Sequence, residues 1–285
     1  MSIQNRYDFV MLFDVENGNP NGDPDAGNAP RMDVETGYGY ITDVCLKRKI
    51  RNYVDLTKEG EEGYNILIKP DRLLNTKFTE AYEKEGLKLK NKGKDIEDVK
   101  KARDYMCKNY YDVRTFGAVM STGDNPCGII RGPVQINFAK SLAPIKHQDI
   151  TITRQAKTSE DRNGSGETEM GKKSVIPYAL YRAEGYVSAA LANKVTDLSE
   201  EDLELLWTAI INMFENDHSA SRGKMCMRKL YVFKHSSVLG NYPSHLLFEK
   251  IKVNLKDVKI PRQFSDYDIL LDRQMPDGVE LLEKL

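Results

Sequence analysis

An α+β domain is predicted, with its main elements in the order β-α-β-β-α-β, on three observations. Residues 9–15 form a nearly continuous apolar run of β-formers. Apolar residues at helical spacing begin after Thr42 and again after Ser199. Strand-like patterns stand between those two stretches and after the second.

The first element, residues 7–15, reads as a strand buried on both faces, because its apolar residues do not alternate with polar ones. A loop crowded with Gly, Asn, Asp and Pro follows to about Tyr40. Structureless loops of that length are uncommon and usually functional or disordered. The helix expected over 42–54 turns Leu46, Ile50, Tyr53 and Val54 inward. Lys47, Arg48 and Arg51 then share roughly 100° of arc beside that apolar side, with Lys49 pointing elsewhere. Most basic runs of this kind are solvated helix flanks, and spacing alone does not separate that use from phosphate binding.

Residues 64–111 read as a helical insertion on the side of the core. A short strand pattern at 65–69 leads through Pro70 into Lys- and Glu-rich helical sequence, and residues 96–110 form another helix. Strands are expected at 129–138, starting at or edging around Gly132-Pro133, and at 148–154, where Ile150 and Ile152 alternate with polar residues. Residues 156–174 have no apolar periodicity and cannot offset the entropy of their own ordering without a partner. A strand pattern returns over 175–192. Ser199 then caps a helix, with Asp202 completing a capping box and Leu203, Leu206, Trp207, Ile210 and Phe214 facing inward. The last clear strand is 228–235; the signals after Tyr242 are mixed and give no order. Without its insertions this is the split βαβ, ferredoxin-like order, a fold that hosts too many functions to name one.

Composition narrows the function classes. The chain has 285 residues, 40% hydrophobic, enough for a sizeable core. Charged residues make up 30% but the net charge is only -1, so any anion-binding surface must arise by segregation of charge. Cys45, Cys107, Cys127 and Cys226 stand apart with no C-x-x-C pair, which points to reduced thiols and a cytoplasmic protein. No signal-peptide pattern opens the chain, and no apolar run approaches the ~20 residues of a membrane helix.

Motifs of catalysis are weak. Gly166-x-x-x-x-Gly171-Lys172-Lys173 approaches a P-loop, but Lys173 replaces the magnesium-binding hydroxyl and no apolar strand precedes it. Residues 17–28 brush a calcium loop yet lack the leading Asp and carry Asn28 in place of the bidentate Glu. Asp14, Glu16, Asp23, Asp25 and Asp33 are numerous enough to hold Mg²⁺ for RNA cleavage, but without a spacing signature; a metal-dependent ribonuclease is the alternative function. His147, His218, His235 and His245 form no ligand spacing, and the base-stacking RNA-recognition signature is absent.

Several segments do carry a specific likeness. They are Phe13-Asp14-Val15 with residues 18–28 (GNPNGDPDAGN), residues 42–51 (TDVCLKRKIR), 112–117 (DVRTFG), 129–135 (IIRGPVQ), 152–154, 160–162, 175–178 and 180–182. In them the chain resembles the backbone subunit of type I-C CRISPR surveillance complexes, the Cascade assembly. The likeness covers most of the chain, least well after Tyr242.

That resemblance implies one hand-shaped domain over 1–285: a ferredoxin-like palm, helical fingers at 64–111 and a thumb loop at 156–174. It implies copies stacked head to tail along one CRISPR RNA, each thumb displacing one base while the others pair with target DNA. Other Cascade subunits would be further partners, and no enzyme activity, cofactor, metal or membrane is implied. On this reading Lys47, Arg48 and Arg51 contact phosphates, with Asn19, Asn21 and Gly22 lining the same groove. Arg154, Arg162, Lys172 and Lys173 clamp RNA from the thumb, with Met170 as an apolar wedge. The near-zero charge suits a subunit packed against its own copies, and non-closing head-to-tail contacts build filaments.

Overall fold

The structure, a computed structural model, describes residues 1–90, 92, 95–154 and 169–285. In chain order, the first part forms β1 (Tyr7–Gly18), β2 (Gly22–Asp23), β3 (Ala29–Pro30), β4 (Tyr38–Ile41) and α1 (Asp43–Thr57). Then come α2 (Leu74–Lys84), α3 (Ile96–Asn109), α4 (Tyr111–Phe116), β5 (Gly117–Met120), β6 (Gly128–Arg131), β7 (Val134–Ile136) and β8 (Ala139–Pro144). After β9 (Gln148–Arg154) and β10 (Glu169–Val187) stand α5 (Ala189–Leu191), α6 (Glu200–Asn212) and β11 (Lys224–His235). The last elements are α7 (Ser244–Phe248), β12 (Ile251–Leu255), β13 (Tyr267–Leu271) and β14 (Val279–Glu283).

A large antiparallel sheet runs β14-β11-β1-β10-β8-β4, with β7 and β9 also pairing with β10. Strand β1 sits inside it, buried without a break over residues 7–15. On one face its Phe9, Met11, Phe13 and Val15 meet Leu46, Ile50 and Val54 of α1 and Leu203, Leu206, Trp207 and Ile210 of α6. The Trp207 ring stands edge-on to Phe9 at 5.2 Å. On the other face Val10 and Leu12 join Leu180, Tyr231 and Phe233 under a cap of Leu247, Phe248, Ile251 and Tyr267. Two covered faces are why the strand reads as a continuous apolar run rather than an alternating one.

The helices begin where their caps lie. Thr42 accepts a hydrogen bond from the Cys45 amide at 3.3 Å. Ser199 and Asp202 form the reciprocal capping box of α6. The tail without a readable order supplies the second-face cap and the edge strand β14, which pairs with β11.

The insertion has its own core. Phe78, Ala81 and Tyr82 of α2 pack with Ala102, Met106 and Cys107 of α3, and with Met120, Cys127 and Ile130 of the β5–β6 hairpin. It therefore extends past residue 111 to the end of β6. The expected strand at 65–69 is absent: the Leu67 and Ile68 amides donate instead to Asp112, at 2.8 and 3.1 Å. The single strand expected over 129–138 is two, β6 in the insertion and β7 in the main sheet. What divides them is a backbone crossing of Gly117 and Gly132, where a Cβ on Gly117 would stand 2.3 Å from the Ile130 carbonyl oxygen.

Gly117 also has φ 80° and ψ 171°, a region open essentially to glycine alone. Gly117→Ala is expected to cost roughly 3 kcal/mol or more, from strain plus the clash. Gly27→Ala, at φ 60° with open space around the new Cβ, should cost only about 1–2 kcal/mol. Urea midpoints of the two variants give the comparison; equal shifts would remove the crossing as a constraint.

The stretch after β1 is not structureless. It holds the β2–β3 pair and then β4, the edge strand of the main sheet beside β8. The stretch expected as an unpatterned loop over 156–174 is also partly regular: residues 169–174 form the start of β10 and pair with β9, from Glu169↔Arg154 to Ser174↔Asp149. The rest of that loop, up to 168, lies outside the described residues.

Candidate nucleic-acid interface

Helix α1 projects its cations into the protein rather than outward. Arg51 is buried, and its Nε donates to Asp112 Oδ2 at 2.8 Å while its guanidinium lies 5.1 Å from the Phe116 ring centroid. Arg48 Nη1 donates to the Ile68 carbonyl at 2.6 Å. Burial, then the neighbouring Arg51 charge, push the Arg48 pKa down. Lys47 pairs with Asp43 at 2.9 Å and reaches Gln135 Oε1 at 3.3 Å. Lys49 is fully buried against Asp217, which Arg222 also holds at 2.6 Å. Arg48 and Arg51, expected to contact phosphates, are engaged inside the molecule: both tie α1 to the root of the insertion, where the Asp112 carboxylate needs a cation. Lys47, with a side chain 12% exposed, is already engaged by Asp43 and Gln135.

The same motif anchors the insertion from the other side. Arg114 forks onto Asp202 at 2.9 and 2.7 Å and donates to the Gly63 carbonyl at 2.6 Å. Burial works against this charge, but the Asp202 bonds outweigh it and the Arg114 pKa moves up.

The loop amides are likewise spent on the loop. Asn19 Nδ2 donates to the Asn28 carbonyl at 2.7 Å. Asn21 Oδ1 accepts from the Thr42 amide and hydroxyl at 3.0 and 3.1 Å, joining the loop to the start of α1. Gly22 is packed against Asn28, whose Oδ1 would lie 1.9 Å from a Cβ there, so its missing side chain serves a contact inside the loop. These three expected groove residues hold the loop's own shape. The Asn19 Oδ1 atom is buried without a partner.

The β9–β10 ribbon is the part that stands open. Ile150 and Ile152 are 44% and 50% exposed, and Met170 is 76% exposed. Register places Thr151 opposite Lys172 and Thr153 opposite Met170, so Lys172 and Met170 share one ribbon face; Ile150 and Lys173 share the other. Lys172 is exposed and Lys173 half-buried, and neither has an ion pair or hydrogen bond among the described residues. Arg162 and the Arg154 side chain lie outside the described residues.

Two exposed cations escaped the sequence reading: Arg131 at the end of β6 and Lys140 on β8, neither in an ion pair or hydrogen bond among the described residues, although the Lys140 charge is felt by Asp33. Lys140 stands between buried Ala139 and Ser141. Ser141 is polar, so the sequence carries no apolar alternation that would have marked Lys140.

The carboxylates do not converge. Asp14 is buried under Tyr178 and Arg228, at 3.0 and 2.9 Å; burial raises its pKa against both partners. Glu16 faces Lys224, Asp23 faces Arg31, and Asp33 accepts from Thr36 and the Glu35 amide. Among the described residues no group of three or more His, Cys, Asp or Glu side chains is placed to hold a metal ion. Cys107 and Cys127 are buried thiols with pKa values pushed up to about 12 by desolvation. No described helix is long and apolar enough to cross a membrane.

Comparison with known proteins adds three findings. The "CRISPR-associated protein Cas7" of Haloferax volcanii is 28% identical over 302 residues, spanning 100% of this chain and 85% of that protein. One chain of the solved "CRISPR RNA-guided surveillance complex, pre-nicking" is 13% identical, with a TM-score of 0.49 over 80% of this chain and 78% of that one. The sequence profile of the family "CRISPR-associated protein Cas7" matches residues 5–272, nearly the whole length. The chain belongs to the CRISPR-associated Cas7 family.

Proposed function

We propose that the chain is a non-catalytic scaffold that binds a CRISPR guide RNA along its sugar-phosphate backbone without reading its sequence. Copies stack head to tail on the guide and hold the intervening bases ready to pair with target DNA, within a type I-C Cascade assembly in the cytoplasm. On this reading the main sheet is a ferredoxin-like palm; the central order β11-β1-β10 followed by β7 and β8, with α1 and α6 on one face, supports it. The insertion is the fingers and the β9–β10 ribbon the base of the thumb.

The observation that carries this reading is the ribbon. It leaves the sheet with Ile150, Ile152 and Met170 exposed beside lysines that have no acidic partner among the described residues. An exposed apolar ribbon is an aggregation hazard unless something covers it, and lysines without acidic partners fit a polyanion. A neighbouring copy and one RNA strand supply both.

The decisive test is what accompanies the protein through purification. Expressed with a CRISPR array, it should copurify with short RNAs of uniform length, and nuclease digestion should shorten its assemblies. A protein that is free of RNA and monomeric in that setting would sink the reading. Mg²⁺-dependent cutting of RNA, lost on Asp→Asn changes at Asp14, Asp23, Asp25 or Asp33, would replace it with the ribonuclease.

A further inference from the structure

A second open surface lies on the sheet face opposite α1 and α6. The carboxy-terminal cap covers that face over β11, β1 and β10, and its rim is fixed where Arg182 donates to the Ile251 and Phe248 carbonyls at 2.6 and 2.8 Å. Towards β8 and β4 the cover stops, leaving a cleft of about 510 Å³ lined by Tyr38, Asn137, Phe138, Lys140, Arg182 and Glu184, among others. That volume lies in the ~300–1,000 Å³ range of small-ligand sites, room for one nucleotide.

The lining is organised. The Phe138 ring is 55% exposed, yet it is held on one side by Tyr40, nearly parallel at 5° with ring centroids 6.2 Å apart. Tyr40 pairs with Lys140 across the β4–β8 ladder, so the two residues are neighbours in register. Lys140 is exposed and has no ion pair or hydrogen bond among the described residues. The Asn137 amide nitrogen donates to the Tyr186 hydroxyl at 3.2 Å, which fixes the carboxamide and leaves its oxygen as an acceptor. The neighbouring Arg182 and Glu184 neutralise each other at 2.9 Å, which leaves Lys140 as the cation without a direct ion pair in the lining, with Asp33 close enough to feel its charge at the Thr36 end.

We propose that this cleft holds one unpaired base of a single-stranded RNA, stacked on Phe138, with an adjoining phosphate on Lys140 and the base edge within reach of Asn137. The proposal rests on the RNA-binding reading above and adds to it a stacking subsite apart from the ribbon. A pre-ordered aromatic pair with one open side beside an unpaired cation suits a base and its phosphate, because every base offers a flat π-face and stacking tolerates any sequence. An apolar peptide segment would leave the ammonium unmatched.

The test uses the full-length protein freed of RNA, with short RNAs carrying 2-aminopurine at successive positions. Binding to wild type should quench the fluorophore at one position or at a fixed interval. Phe138→Ala should abolish that quenching and weaken binding by about 5- to 150-fold. Phe138→Tyr should retain both. Lys140→Gln should keep the quenching and flatten the salt dependence of log K by about 0.7. The Phe138 side chain is largely exposed, so an unchanged melting temperature is expected and checks the fold. If Phe138→Ala binds and quenches like wild type while Lys172→Ala/Lys173→Ala weakens binding, the cleft proposal falls and the RNA-binding reading stands. If Phe138→Ala keeps RNA affinity but loses self-association, the cleft belongs to a second copy and the proposal is overturned. Failure of wild type to bind any single strand would remove both.

Discussion

Arg114→Ala is expected to cost about 3–5 kcal/mol and to lower the melting temperature on the order of 10 °C. The side chains of Arg114 and Asp202 are only 9% and 4% exposed, so truncating the arginine leaves a carboxylate in a site with little water. The same guanidinium donates to the Gly63 carbonyl at 2.6 Å and lies 5.3 and 5.5 Å from the Tyr64 and Tyr111 ring centroids. One side chain thus joins α4, the start of α6 and the turn that leads into the insertion. Arg114→Lys keeps the charge but not the fork, so a smaller loss is expected. A double-mutant cycle with Asp202→Ala separates the pair from the packing, since the double variant no longer buries a lone charge. A melting temperature within 2–3 °C of wild type for Arg114→Ala would show that this joint does not hold the insertion to the sheet.

Lys172→Ala with Lys173→Ala is expected to weaken RNA binding alike for every sequence tested. The slope of log K against log salt should flatten by about 1.4, at ~0.7 per phosphate contact on a single strand. Stability should barely change, because neither lysine has a partner to lose among the described residues. Anisotropy titrations at several salt concentrations read both quantities. A slope equal to wild type would take the ribbon lysines out of the RNA contact. An effect confined to one RNA sequence would mean that the ribbon reads bases. The set Lys47→Ala, Arg48→Ala and Arg51→Ala is expected to behave differently: it should lower stability first, because Arg51 neutralises the buried Asp112.

The fold was legible where burial leaves a period in the sequence. β1, α1 with its Thr42 cap, α6 with its capping box and β11 stand close to where their patterns put them. What escaped were features set by tertiary contact. Nothing local in 129–138 reveals that the chain changes sheets at Gly132, because the break comes from Gly117, fifteen positions earlier. The 169–174 segment is too polar to look like a strand; its ladder partner β9 makes it one. The tail was unreadable because its short strands and α7 take their order from the sheet face they cover.

The site was legible as composition and less so as geometry. A cation beside an apolar helix face has the same spacing whether it meets a phosphate or an internal carboxylate. Only the position of Asp112, more than sixty residues from Arg51, decides between them. Lys172 and Met170 are exposed, as their segment's lack of any competing apolar pattern suggests, and their contact with RNA is the proposal tested above.

Strand β1 has a further consequence, for the order of events during synthesis. Both of its ladder partners come late: β10 ends at Val187 and β11 at His235. At ribosomal rates of ~5–20 residues per second, its apolar side chains wait roughly ten to thirty seconds for the first of them. Over that interval the nascent chain exposes a ready-made β template with no native match, while the local helical insertion is free to form first. Slow maturation is the outcome expected from where the partners of one strand happen to be encoded.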